Sequence, residues 1–116
     1  MAFEYSRLVD VTTIAASAAS IYANPASTTS YVRLINIHNS NTTAETVILY
    51  QVPDSGGSLG TAGDTNIIFE EELAADATRI IEYAVPGLML VDENDSIQGE
   101  TTTASKVTIT ITGATE

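Results

Sequence analysis

The chain has no cysteine and no tryptophan, a single histidine, and four basic side chains against fifteen acidic ones. Without cysteine there is no disulfide, no thiolate metal site and no thiol nucleophile. With one histidine, His38, there is no His–His metal pair, and the Gly-x-Ser-x-Gly match at Gly56–Gly60 lies in a glycine-rich loop rather than at the strand-to-helix turn of a nucleophile elbow. The bases Arg7, Arg33, Arg79 and Lys106 stand far apart, and the formal net charge is -11. Nucleic-acid affinity needs clustered Lys and Arg, so phosphate backbones are excluded as partners, and anionic membranes for the same reason. Long apolar runs are missing too; none approaches the roughly 18 residues of a membrane span. The fairly apolar LVDVTTIAASAAS is interrupted by Asp10, and Met1 to Ser6 carries Glu4 and no base, so it does not read as a signal peptide. The glycine-rich GGSLGTAG lacks both the lysine of a P-loop and the following helix of a dinucleotide fingerprint. No cofactor is expected.

What is present is threonine in quantity, with Val, Ile, Leu and Ala making up most of the apolar weight. Threonine and the β-branched residues suit a pleated, half-buried surface. KVTITITG sets Val107, Ile109 and Ile111 against Thr108, Thr110 and Thr112, the period of a strand with one buried face. TSYVRLINIHNS (29–40) is apolar on both faces at its centre and reads as a central strand, forming an antiparallel hairpin with AETVILYQV (44–52) across the turn-rich NSNTT. PDSGGSLGTAGD (53–64) reads as the longest loop, and two short strands flank AADA. Further strands are expected at 7–14, 19–23, 88–91 and 96–100. Short strands spaced about ten residues apart, with no convincing helix, predict an all-β antiparallel sandwich or jelly roll of about eight strands. At 116 residues there is one core, placed at 19–116 behind an extended N-terminal arm, 1–18. Lysine and edge proline are scarce, so an edge covered by another subunit is expected.

The densest polar stretch is VDENDSIQGE (91–100). As a calcium loop it fails, because Asp92, Asn94 and Ser96 are not followed by glycine at the sixth position. Adjacent Asp and Asn side chains that bond to nearby N–H groups suit a tight turn, and Ile97 restarts the apolar pattern. His38, beside Asn39 at a strand end, reads as a rim residue, and EEEL (70–73) as a solvated face. Nothing here builds an active site; the expectation is a non-enzyme.

The ordered set IYANPASTTSYVRLINIHNSNTTAETVILYQVP, LAADATRIIEY and LMLVDENDSIQGETTTASKVTITITGATE resembles small virion proteins of tailed bacteriophages over residues 20–116. It shares their Tyr-Val-Arg strand with its asparagine-rich turn, and a later series represented by Leu90, Asp95, Ile97, Gly99 and Gly113. Where that group usually has Gly-Asp before the isoleucine, this chain has Asn94-Asp95-Ser96. The resemblance implies a β-sandwich or jelly-roll capsid decoration (cement) protein on the outer surface of the head. It would be a homotrimer whose partners are the major capsid protein or other virion proteins. The alternatives are a tail, baseplate or fibre component, and a calcium- or carbohydrate-binding β module. Under the first reading the arm lies along a neighbour, with Phe3, Tyr5 and Leu8 as apolar anchors.

Overall fold

The alternation of the last strand organises the molecule. In the computed structural model, which describes residues 4–116, Val107, Ile109 and Ile111 are 0–1% exposed, while Thr108, Thr110 and Thr112 face the other way and are half-buried. The strands are β1 (Glu4–Thr13), β2 (Ala19–Ala23), β3 (Ser30–Asn39), β4 (Glu45–Val52), β5 (Ile67–Leu73), β6 (Thr78–Glu82), β7 (Leu88–Leu90), β8 (Ser96–Thr101) and β9 (Val107–Thr115). A single 3-10 turn, Asp64–Asn66, precedes β5, and the described residues contain no α-helix. The first sheet has the order β1-β9-β3-β6, with β7 continuing the β6 side of β3; the second has the order β2-β8-β4-β5. Every pairing is antiparallel.

The winding is that of a jelly roll. β1 pairs with β9, β2 with β8, β3 with β6 and β4 with β5. The chain doubles back at the loop between β4 and β5, and the doubled ribbon rolls up, so partners come from opposite halves of the sequence. Between the sheets lie Ile14, Val32, Ile35, Ile37, Val47, Leu49, Leu73, Leu90, Ile97, Val107, Ile109 and Ile111. Burying each contributes about 1.5–3 kcal/mol, enough for a core without metal or disulfide.

Three expectations need correction. β3 and β4 are not a hairpin, because they lie in different sheets. The connection from Ser40 to Ala44 arches across the sandwich, pinned by Asn39, which is fully buried. Its amide nitrogen donates to the carbonyls of Thr43, Leu73 and Ala74 at 3.0–3.1 Å, and its Oδ1 accepts from the Asn41 N–H at 2.9 Å. Nor is β3 buried on both faces. A register shift between Val32 and Leu34 leaves Arg33 as an extra residue, so Val32 points inward on one side of the bulge and Ile35 and Ile37 on the other. Asn36 is exposed. Finally, residues 4–13 of the expected arm are extended but hydrogen-bonded within the chain, as an edge strand on β9 from Glu4↔Thr115 to Thr13↔Thr108. Phe3 lies outside the described residues.

The edges are also better guarded than the shortage of lysine and proline suggests. β1 has two register shifts and β2 is five residues long with one of its own. β5 carries Glu70, Glu71 and Glu72. The β6–β7 edge is broken at 83–87, where Pro86 has no N–H to offer. Bulges, clustered charge and proline each discourage strand addition.

Candidate interaction surface

Antiparallel partners share a face, so the ladder register places every outward side chain of the first sheet. Across β1-β9-β3-β7 one row reads Tyr5, Ala114, Tyr31, Met89. The next, across β1-β9-β3-β6, reads Arg7, Thr112, Leu34, Glu82. Asp10 and Val11 bulge opposite Thr110 in the third, which continues through Asn36 to Ile80. The fourth is Thr13, Thr108, His38, Thr78, with a 2.8 Å hydrogen bond between His38 Nδ1 and Thr78 Oγ1. Threonines line the centre of this face, and four large apolar side chains stand out near its two edges: Tyr5 (72% exposed), Val11 (65%), Ile80 (54%) and Met89 (44%). Tyr31, between Ala114 and Met89, is covered, and its hydroxyl donates to Glu116 Oε1 at 2.9 Å. That hydrogen bond, burial and the nearby Glu116 charge push its phenol above the ordinary range.

The outer face of the second sheet is different. The loop after β4 folds over it: Gln98 Nε2 donates to the Gly60 carbonyl at 3.0 Å, and Gly60 sits against Val52. Glu100 accepts from the Tyr50 hydroxyl, and that hydrogen bond, then burial, pushes the phenol up to about 12. Glu70 pairs with Ile48 opposite Glu100 on this face, and Glu72 with Thr46. Glu71 instead makes an ion pair with Arg79, joining the β5 and β6 edges of the two sheets. Acidity is thus concentrated on one sheet, while the other presents threonine, apolar groups and few charges.

The polar stretch 91–100 forms a turn. Asp95 Oδ2 accepts from the N–H groups of Val91 (3.0 Å) and Asp92 (2.9 Å), and Oδ1 from that of Asp54 (2.8 Å). Burial pushes this carboxyl up, but the three N–H donors outweigh it and hold it below the ordinary range. Beside it, buried Asn24 donates to the carbonyls of Thr28 and Asp92 and accepts from the Ser30 hydroxyl at 2.6 Å. At the opposite end Glu45, 1% exposed, accepts from Asn41 Nδ2 (2.9 Å) and the Thr103 N–H (2.8 Å). Burial opposes ionisation there too, yet those donors and Lys106 keep its carboxyl below the usual range. Among the described residues no group of three or more His, Asp or Glu side chains is placed to hold a metal ion. A shallow depression of about 220 Å³ is lined by Val52, Pro53, Asp54, Ser55, Gly60, Thr61 and Asn66. Its single carboxylate, Asp54, accepts from Gly57 N–H at 3.0 Å and is spent on the loop's own turn.

Of the expected anchors, Tyr5 stands on the open face, whereas Leu8, in a β1 bulge, packs toward the core beside Gly113. Sequence reading missed Arg7, Val11, Ile80, Glu82 and Met89. For Ile80, Glu82 and Met89 the signal was alternation within TRIIE and LML, readable only once the sheet partner is known, while the two register shifts of β1 hide Arg7 and Val11. The residues that carry the virion-protein resemblance hold the fold. Leu90 and Ile97 are in the core, Asp95 ties the turn, and a Cβ at Gly99 would come within 2.8 Å of Ile21 Cδ1. The chain matches no family model, no curated protein and no solved structure.

Proposed function

We propose that this chain is a non-enzymatic structural protein of a tailed-bacteriophage virion, a decoration (cement) protein that stabilises the mature head from its outer surface. The observation that carries the reading is the uncovered outer face of the first sheet. It exposes apolar side chains on a five-stranded platform, while the carboxylates of Glu45 and Asp95 are spent on internal turns. A platform of this kind serves contact rather than chemistry, and shallow contacts gain strength when symmetry multiplies them. The resemblance to small virion proteins supplies the kind of assembly, since the fold alone specifies none. A net charge of -11 keeps the protein away from packaged DNA and suits the outer surface. The partners are the major capsid protein or another virion protein.

The test is co-sedimentation of the purified protein with empty mature heads, and with purified tails, of the phage that encodes it. Saturable pelleting with heads is the expected result. Pelleting with tails alone moves the protein to the tail, and a protein that stays in the supernatant with both overturns the reading.

A further inference from the structure

The open face is asymmetric from edge to edge in a way that complements itself. Its β1 side carries Arg7 and its β6 side carries Glu82, in one row. In the flanking rows Tyr5 stands across the sheet from Met89, and Val11 from Ile80. Consider a twofold axis parallel to the strands, running above the face between β9 and β3. It carries the β1 side of one copy over the β6 side of the other and leaves each row over itself. Arg7 then faces Glu82 of the second copy, Tyr5 faces Met89 and Val11 faces Ile80, each contact made twice.

We infer that the occupant of this face is a second copy of the chain, in an isologous dimer built by stacking the two first sheets. The inference rests on the reading of the face as an assembly surface. Aligned stacking about 30° off parallel is a standard arrangement for twisted sheets. Arg7 already has an exposed ion pair with Asp10 at 3.4 Å, and exchanging such a pair costs little. Four strands about 4.8 Å apart and four rows along them give about 500 Å² per copy, or about 1,000 Å² in total. That lies at the lower limit of a specific interface, so the dimer forms with rising concentration rather than permanently. A trimer, the assembly the resemblance implies, would instead need this face to meet a different surface.

Light scattering after gel filtration, over a concentration series, should show the mass climbing from 12.2 kDa towards twice that value. Arg7→Glu and Glu82→Arg should each weaken association roughly tenfold, and the double variant should recover most of it. Ile80→Glu should leave a monomer. All three positions are exposed, and unchanged circular dichroism and melting would confirm that the variants fold. A monomer at every concentration, a mass near three times 12.2 kDa, or a dimer indifferent to all these variants overturns the inference. Head binding by a protein that is monomeric in solution would refute the dimer and leave the virion reading standing. A charge-dependent dimer that binds neither heads nor tails would do the reverse.

Discussion

Asn39 performs a task that backbone alone cannot. Where the chain crosses between the sheets, the carbonyls of Thr43, Leu73 and Ala74 converge on a single buried amide, which donates to all three. Replacing Asn39 with Ala removes that group and leaves the buried Leu73 carbonyl without its donor, together with those of Thr43 and Ala74 nearer the surface. Buried polar groups left unpaired are costly, so the substitution should lower unfolding free energy by about 2–4 kcal/mol, read as a shift of the urea midpoint. A loss below about 1 kcal/mol would mean that water replaces the amide. The asparagines were legible in the sequence as turn formers. Their partners were not, since Leu73 and Ala74 lie more than thirty positions away and only the arch brings them close. Asp95 was likewise readable as a turn residue, whereas its bond to the Asp54 N–H depends on how the loop after β4 returns.

Among the elements, β9 was the most legible, because its alternation from Val107 to Thr112 is strict and the extra residues at the register shifts fall on its neighbours β1 and β3. β3 misled because a bulge switches the parity of its inward positions, and a parity switch looks like burial on both faces. The supposed hairpin misled because five polar residues can join strands within a sheet or between sheets; only the burial of Asn39 separates the two. Against β3 the fit is close at one point: a Cβ at Gly113 would lie 2.0 Å from the Tyr31 carbonyl oxygen. Gly113→Ala therefore has to push β9 away from β3, and should destabilise by roughly 3 kcal/mol or more. Thr112→Ala, one residue earlier and facing outward, should stay within about 0.5 kcal/mol. Equal melting temperatures for the two variants would show that the close approach carries no weight.

At the scale of the whole molecule, two electrostatic effects oppose each other in acid. Protonating exposed carboxylates relieves the repulsion that comes with a net charge of -11 and favours folding. Glu45 and Asp95 act in the other direction. Their folded pKa values are lowered, so their contribution is full above the unfolded values of about 4.3 and 3.9. It is lost as pH falls through the folded values. The double variant Glu45→Gln, Asp95→Asn should be less stable than the parent at neutral pH, with the gap closing below about pH 4 in urea titrations. A gap that stays constant down to pH 2 would remove these two carboxylates from the acid response. The all-β class and most strand positions were legible from alternation and turn residues. The order of strands was not, because rolled and unrolled ribbons bury the same alternating pattern.

The rolled winding also dictates when the protein can exist at all. β9 is the last of these nine strands to be synthesised, yet it sits between β1 and β3, which are joined only through it. A nascent chain that has emerged as far as β8 holds two halves of a sheet with a gap where their common neighbour belongs. Completion of the first sheet must therefore wait for residues 107–115 to clear the ribosome, so the chain closes its sandwich only at the end of this stretch.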